Sequence, residues 1–306
     1  MTKRRSDEDE GSPTRRWFLR QIGLLAGASV VGERTAARAV SLIQNPPLTD
    51  EQICSRKFEL AVRESLSDRP IGEVMVAVGS SFLGTPYKAH TLEVPGEEHL
   101  VVNLRALDCV TFVENVLALS RCIRLRRYTF EDYLGHLKLI RYRAGEIDGY
   151  PSRLHYFSDW IGDNEQKGIV KNILRESGGV SLTKKIRFMT AHRDSYRQLS
   201  DDSVLGEIRK TESALSNNER WYLPKEELTD QPDLLRSGDI VGITTSIEGL
   251  DIVHTGIVVF TNGSARYLHA PLSGGSVQIS DEPLAAYLQA RKSQTGIMAA
   301  RPLDPQ

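Results

Sequence analysis

The chain has 306 residues, of which 40% are hydrophobic, and its 39 basic and 40 acidic side chains give a formal net charge of −1. This length provides an ample hydrophobic core for one large domain or two small ones. The balanced charge, with no basic stripe and no patch of interleaved aromatic residues, excludes a typical nucleic-acid-binding protein.

The N-terminal segment predicts export from the cytoplasm. Residues 14–20 (TRRWFLR) carry paired arginines. The apolar run that follows, IGLLAGASVV, is about half the ~20 residues that a membrane-spanning helix needs. Together with the small-x-small sequence Ala37-Arg38-Ala39, these features predict a signal peptide over residues 1–39, of the twin-arginine type. The alternative is a cytosolic amphipathic helix with a chance pair of arginines.

Removal of that peptide would leave a single domain over residues 40–306. This domain keeps 31 basic and 35 acidic side chains, a formal charge of −4. No later segment is apolar enough to cross a membrane. We therefore predict an exported protein, located in the periplasm or outside the cell.

The first half of this domain contains several helix start and stop signals. A helix is predicted after Thr49, which opens the capping-box sequence TDEQ. A second is predicted over residues 71–82, with Gly and Pro stop signals behind it. A third begins at Asp108 or Cys109 and continues to about residue 124, with apolar residues at a spacing of three or four. Thr129 opens a fourth.

The second half changes from polar to apolar character. Residues 144–164 resemble a loop or turn region and residues 165–230 are polar and mostly helical, so residues 130–235 are predicted as an additional, mostly helical region. Short Val- and Ile-rich segments after residue 236 predict antiparallel strands, with one helix among them. The strands are predicted at 240–243, 252–260, 266–270, 276–279 and 296–301, and the helix at 283–291. Helices first and strands second indicate an α+β fold, with a helical layer packed on an antiparallel sheet.

The chain contains three cysteines, an odd number that leaves at least one thiol free or paired with another chain in an oxidising compartment. Cys109 and Cys122 lie on one predicted helix, roughly 20 Å apart at 1.5 Å per residue, so they cannot pair with each other. A Cys54–Cys122 disulfide is one alternative that the sequence leaves undecided, and it would leave Cys109 free. No CxxC pair and no Cys/His cluster with zinc-site spacing occurs, so no metal site is predicted.

Cys109 is a candidate nucleophile because of its position at a helix start. Free N–H groups and the helix dipole favour a thiolate there, and Asp108 is a preferred N-cap residue that would fix where the helix begins. His254 and His269 lie on neighbouring predicted strands, where side chains approach to about 5 Å. One histidine would be the base and the other its orienter, as in a Cys–His–His triad. The alternative is that all three are buried packing groups.

Nine segments between about residues 71 and 303 occur in an order that resembles a known family. They are FLGTPYKAHTLE, LDCVTFVEN, SRLHYFSDW, FMTAHRDSY, WYLPKEEL, SGDIVGITT, GLDIVHTGIVV, YLHAPLSGGSVQISDEPLAAYL and GIMAARPL. They resemble the N-acetylmuramoyl-L-alanine amidase-like branch of the NlpC-type cell-wall cysteine amidases. This resemblance implies a papain-like fold.

The resemblance also implies an activity and roles for particular residues. Cys109 would be the nucleophile, His254 the base and His269 the third member of the triad. The substrate would be peptidoglycan or a muropeptide, cut at the amide between N-acetylmuramic acid and L-alanine, with no metal or organic cofactor. The candidates for substrate binding or for the oxyanion site are Tyr87, Arg153, His155 and Asp159.

Three other functions remain open on the sequence alone. The same nucleophile would serve a γ-D-glutamyl-diaminopimelate endopeptidase that cuts inside the stem peptide. An acyltransferase or thioesterase would need a long apolar groove, and residues 140–235 show no concentrated apolar stripe to build one. A non-catalytic wall-binding module would leave Cys109 buried or oxidised.

Overall fold

The structure of the protein, a computed structural model, describes residues 47–231 and 233–306. The predicted signal peptide lies outside the described residues. The described residues belong to one compact unit. None of their helices is long and apolar enough to cross a membrane.

Eight α-helices occur in the described part of the chain, joined by loops and short 3-10 turns. They are α1 (Asp50–Arg63), α2 (Ile71–Ser80), α3 (Cys109–Arg124), α4 (Phe130–Arg141), α5 (Phe157–Gln166), α6 (Phe188–Ala191), α7 (Asp202–Asn217) and α8 (Leu284–Gln289). The helices predicted after Thr49, over residues 71–82, from Asp108 or Cys109, after Thr129 and over 283–291 are thereby confirmed.

Eight strands form one antiparallel sheet among these residues. They are β1 (Val170–Asn172), β2 (Val180–Ser181), β3 (Trp221–Pro224), β4 (Ile240–Thr245), β5 (Ile252–Thr261), β6 (Ser264–His269), β7 (Gln278–Ile279) and β8 (Gln294–Pro302). Their order is β2-β3-β8-β4-β5-β6-β7, and β1 also pairs with β8. The five predicted strands and the α+β class are confirmed.

Both faces of the sheet are buried, because successive side chains of a strand point to opposite sides. On β5, Ile257 belongs to a large core shared with α1 to α5, and Val258 belongs to a second core shared with α8. Helix α3 lies within the first core, and all its residues from Thr111 to Ile123 are buried. A helix that is buried on every side places its first residue with little freedom.

The local start signals act as the sequence predicts. Thr49 Oγ1 accepts the Gln52 N–H at 3.2 Å, and Gln52 Oε1 accepts the Thr49 N–H at 2.9 Å, which completes a capping box. Thr129 caps α4 by accepting the Asp132 N–H at 3.0 Å. These hydrogen bonds join residues three apart in sequence, so they can be predicted from the sequence alone.

One expectation for residues 130–235 was wrong. Residues 144–164 are not only loop, because α5 begins at Phe157. Its N-cap residue Tyr156 makes no side-chain cap, and Asp251 accepts the Ser158 N–H at 2.8 Å instead. Besides its helices and 3-10 turns, the region contributes β1, β2 and β3, each of two to four residues, to the sheet. All three cysteines are free thiols, so the Cys54–Cys122 disulfide does not form in this structure.

Candidate active site

Cys109 is the first residue of α3, and Asp108 fixes that start. Asp108 Oδ1 accepts the Thr111 N–H at 2.8 Å, and Thr111 Oγ1 accepts the Asp108 N–H at 2.9 Å. The carboxylate is thus occupied by the cap. The Cys109 side chain is half-buried, in contrast to the buried helix that follows it.

The charge state of Cys109 differs from the sequence prediction. Burial and then the Asp108 charge raise the pKa of the Cys109 thiol to about 12, against backbone N–H groups of Thr255, Cys109 and Val110, which act to lower it. Desolvation therefore outweighs the helix terminus. The expectation of a lowered thiol pKa was wrong for the resting site, which holds a neutral thiol.

His254 and His269, called the histidine pair below, are hydrogen-bonded to each other. His254 Nε2 lies 2.8 Å from His269 Nδ1, and the rings meet edge to face at 65°. Burial, assisted by neighbouring positive charge, lowers the pKa of His254 to about 3 and of His269 to about 4. Both rings are therefore neutral at pH 7. Because Nε2 of His254 is engaged, Nδ1 is the atom left for a proton from the thiol.

Gly256 makes room for the histidine pair. It precedes Ile257, which pairs with Leu268 in the β5–β6 ladder, and a Cβ added to it would stand 2.9 Å from the His269 Cβ and 2.8 Å from the Leu268 carbonyl oxygen. A register shift in the β4–β5 ladder, between Ile243 and Thr244, lies opposite His254. Such irregularities redirect side chains beside functional sites. Gly256 was not predicted as a site residue.

One cavity joins Cys109 and His254. Its volume is about 150 Å³. Its lining consists of Cys109, Val110, Val113, Glu114, Leu154, His155, Phe157, Trp160 and residues 250–255. Glu114, Trp160 and Asp251 were not predicted as site residues, because nothing in the local sequence distinguishes them from ordinary helix and loop residues.

Of the three binding candidates in the SRLHYFSDW segment, only His155 lines the cavity. His155 Nε2 bonds the Tyr150 carbonyl oxygen at 2.9 Å. A carbonyl only accepts, so Nε2 carries the proton and Nδ1 is an acceptor. Burial and the Arg153 charge lower the pKa of His155 to about 3, which keeps the ring neutral.

Arg153 and Asp159 are held in ion pairs and do not line this cavity, and their role in substrate binding stays a prediction. Arg153 is buried and donates to Glu93 Oε1 at 2.5 Å and to the Leu92 carbonyl oxygen at 2.8 Å. Asp159 accepts two bonds from Arg143, at 3.0 and 2.6 Å. Their partners make both residues supports for the surrounding loops.

Tyr87 lies close to Cys109, on a segment that bridges to Leu107 just before α3. Its N–H donates to the Gly275 carbonyl oxygen at 2.8 Å. Burial and the nearby Cys109 and Asp108 raise the pKa of the Tyr87 phenol, which therefore stays protonated and able to donate. No group of three or more His, Cys, Asp or Glu side chains suited to a metal ion occurs in the described ranges.

Known proteins share this architecture. A family model described as AmiA-like, N-acetylmuramoyl-L-alanine amidase-like, matches residues 77–297. A crystal structure of an N-acetylmuramoyl-L-alanine amidase from Bacteroides uniformis is 36% identical, with a TM-score of 0.73, over 76% of this chain and 99% of that one. A proposed xylanase from Bacteroides fragilis is 38% identical, with a TM-score of 0.69, over 73% of this chain and 98% of that one.

A more distant structure, from Legionella pneumophila, is 21% identical with a TM-score of 0.59, over 83% of this chain and 95% of that one, and shares the fold alone. No curated protein sequence matches the chain. The family model nevertheless covers well over half of the 306 residues, including Cys109 and the histidine pair. The chain therefore belongs to the AmiA-like, N-acetylmuramoyl-L-alanine amidase-like family.

Proposed function

We propose that this protein is a cysteine-dependent peptidoglycan amidase that hydrolyses the amide bond between N-acetylmuramic acid and L-alanine of muropeptides. The observation that carries the proposal is that one cavity is lined both by Cys109, at a helix N-terminus, and by His254, whose ring is hydrogen-bonded to His269. Family membership and the Bacteroides uniformis amidase support the choice of substrate. A papain-like, NlpC-type assignment of the fold is part of the same proposal.

The first step is attack of Cys109 Sγ on the amide carbonyl carbon. His254 Nδ1 takes the thiol proton as the C–S bond forms, because the resting thiol and imidazole are both neutral. Backbone N–H groups at the start of α3 stabilise the oxyanion, with the protonated Tyr87 phenol as a further donor. His254 then gives the proton to the departing amine of L-alanine, and the C–N bond breaks.

The second step removes the acyl group from the enzyme. Water, deprotonated by His254 Nδ1, attacks the thioester, and the proton returns to sulfur as the C–S bond breaks. The products are the lactyl carboxylate of N-acetylmuramic acid and a free stem peptide. His254 accepts at Nδ1 only when Nε2 carries the proton, so His269 Nδ1 acts as the acceptor that selects this tautomer.

Digestion of purified muropeptides tests the proposal. Wild type should release intact stem peptides with an L-alanine amino terminus, detected by mass spectrometry, and Cys109→Ala should release none. Cys109→Ala cleavage at the wild-type rate would refute the nucleophile. Release of fragments cut between D-glutamate and the diamino acid would identify the endopeptidase alternative instead.

Other activities have weaker structural support. A glycosidase, as the xylanase relative suggests, needs two carboxyl groups flanking the scissile bond. Glu114 and Asp251 both line the cavity, but Glu114 pairs with Arg141, and Asp251 accepts the N–H groups of Ser158 and Ile252 at 2.8 Å each. Both carboxylates are thus engaged in structural contacts, and xylan oligosaccharides should remain uncut.

The non-catalytic and lipid-acyl alternatives have their own tests. A wall-binding module would retain muropeptides intact, and alkylation of its Cys109 would not change that binding. An acyltransferase would form a thioester from a long-chain acyl donor. Intact-mass measurement with each substrate distinguishes these from the amidase.

We also propose that the protein is exported by the twin-arginine route and acts in the periplasm or outside the cell. The support is the sequence of residues 1–39, with its paired arginines, short apolar run and small-x-small site. Fractionation of cells that produce wild type or an Arg15→Lys, Arg16→Lys variant tests this. Wild type should appear outside the cytoplasm with a shortened N-terminus, and retention of the wild type inside would refute the proposal.

A further inference from the structure

Two tyrosine rings pack against the histidine pair. The centre of the Tyr267 ring lies 4.9 Å from that of His269 and 5.5 Å from that of His254. Tyr267 is fully buried, and its hydroxyl donates to the Val241 carbonyl oxygen at 2.7 Å, so its position is fixed. The second ring, Tyr287 of α8, meets His269 edge to face, with the centres 5.7 Å apart and the planes at 80°. His269 therefore packs against one tyrosine of its own strand and one from a separate helix.

Arg291, just after α8, holds the second of these rings. Its Cζ lies 3.9 Å from the centre of the Tyr287 ring, and its Nη1 donates to the Tyr287 carbonyl oxygen at 2.9 Å. One guanidinium thus contacts both the ring and the backbone of the same residue. Tyr287 is only half-buried, so the contact with Arg291 restricts a ring that the protein interior does not fully enclose.

The orientation of the His269 ring decides whether its hydrogen bond to His254 forms. The χ2 torsion of histidine is roughly two-fold, and a half-turn places Cδ2 where Nδ1 was. With Cδ2 facing His254 Nε2, the 2.8 Å bond would be lost. The other nitrogen of His269, Nε2, cannot select the orientation, because it is buried and has no hydrogen-bond partner among the described residues. The selection therefore depends on packing against the two tyrosines.

We propose that Tyr287 and Arg291 are positioning residues of the active site: Arg291 holds the Tyr287 ring, and this ring keeps His269 in the orientation that presents Nδ1 to His254. This role rests on the proposed function, because the His254–His269 bond selects the tautomer in which His254 Nδ1 takes the proton from Cys109. Neither residue touches the reacting atoms in that mechanism. A purely structural role, in which Arg291 caps α8 and Tyr287 fills space, is the alternative.

Replacement of the Tyr287 ring separates the two roles. Tyr287→Leu keeps an apolar side chain and removes the ring, and it should lower kcat about 10-fold with little change in KM, because a misplaced catalytic group slows the chemical step. Tyr287→Phe restores the ring and should recover most of the lost kcat. Rates are expressed per folded molecule, and Tm is measured alongside. A Tyr287→Leu enzyme with a lower Tm and the wild-type kcat would overturn the positioning role.

A double-mutant cycle tests whether Arg291 acts through the ring. Arg291→Gln should lower kcat roughly 2- to 5-fold, the rate equivalent of one exposed cation–π contact, and should have no further effect in the Tyr287→Leu background. After burial, the positive charge of Arg291 also contributes to the lowered pKa of both histidines, and that influence would persist without the ring. Equal effects of Arg291→Gln in both backgrounds would therefore overturn its role in holding Tyr287. Lys292→Gln is the matched control, because it removes the neighbouring exposed charge, and it should leave kcat unchanged.

Proton NMR of the imidazole N–H groups tests the orientation of His269 without any substrate. The hydrogen-bonded Nε2 proton of His254 should give a resolved low-field signal in wild type and in Tyr287→Phe, and this signal should disappear in Tyr287→Leu. A signal that persists in Tyr287→Leu would overturn the role of the ring.

The two proposals fail in different ways. A wild-type protein that cleaves no muropeptide refutes the proposed function, whereas the NMR signal still reports whether Tyr287 orients His269. An active enzyme whose kcat and NMR signal are both unaffected by Tyr287→Leu retains the proposed function and loses the positioning role.

Discussion

Arg141→Met should destabilise the protein far more than the loss of a surface ion pair. Arg141 Nε lies 2.7 Å from Glu114 Oε2, and both side chains are 2% exposed. Removing the guanidinium leaves a buried carboxylate without its partner, which costs about 3–5 kcal/mol. For a protein of this size, that corresponds to a fall in Tm of roughly 6–20 °C.

Arg126→Met is the matched control. Arg126 Nη2 and Asp68 Oδ1 are 2.6 Å apart, nearly the same separation, but their side chains are 61% and 67% exposed. Solvent screens such a pair, so its loss should change the free energy of unfolding by about 1 kcal/mol or less. Because the two ion pairs have nearly the same length, the difference in unfolding free energy between the two variants measures the effect of burial.

The destabilisation by Arg141→Met should also depend on pH. Burial raises the pKa of Glu114 even with Arg141 present, and loss of Arg141 removes the largest opposing influence. A carboxyl group whose pKa is higher in the folded than in the unfolded protein reduces the free energy of unfolding as pH rises. For Glu114, this reduction begins near the unfolded pKa, 4.5, and is complete above the folded pKa. The destabilisation caused by Arg141→Met is therefore largest at pH values above the folded pKa of Glu114, and it becomes smaller as pH falls towards 4.5.

Urea unfolding of wild type and both variants at pH 7 and pH 5 measures these free energies. A loss in Arg141→Met no larger than that in Arg126→Met would refute the argument from burial. A loss that grows as pH falls would refute the account of Glu114 ionisation.

Three further predictions concern the reacting groups. Gly256→Ala should lower kcat/KM at least about 10-fold, since its Cβ would displace His269, whereas Gly135→Ala, with no atom within 4 Å of the new Cβ, should leave kcat/KM unchanged. Asp108→Asn keeps a cap acceptor and removes a charge that raises the Cys109 pKa, so the pH midpoint of Cys109 alkylation should fall; an unchanged midpoint would contradict this. The histidine pair should reduce stability as pH falls from 6.5, where unfolded histidines begin to charge, to about 3–4, where the folded ones do; replacing both with Gln should flatten the unfolding free energy in that window.

The sequence predicted those parts of the fold that local chemistry determines. The caps of α1, α3 and α4 join residues three apart, so a short stretch of sequence is enough to identify them. Helix α5 could not be identified in this way, because its cap acceptor, Asp251, comes from 93 residues further along the chain. Strands β1 to β3 are two to four residues long and owe their conformation to pairing, directly or through β3, with β8. Nothing within such short segments signals a strand.

The candidate site divides in the same way. A helix start singled out Cys109, and two strand histidines suggested the pair that the structure places 2.8 Å apart. Glu114 and Trp160 carry no such signal, because the packing of α3 and α5, and no local motif, brings them into the cavity lining. The thiol pKa was predicted with the wrong sign for the same reason, since desolvation is a property of the packed molecule and not of the helix start.

Burial also links the reactivity of the site to its protection. The thiolate is the form of cysteine that oxidants attack, and a pKa of about 12 leaves little thiolate at pH 7. The same burial keeps the histidine pair neutral, so His254 does not hold Cys109 ionised. In the proposed mechanism, reaction requires a substrate carbonyl beside the thiol, where bond formation to carbon compensates the proton transfer to His254. A thiol of this kind would react slowly with small oxidants and would retain its chemistry for an amide bound beside it.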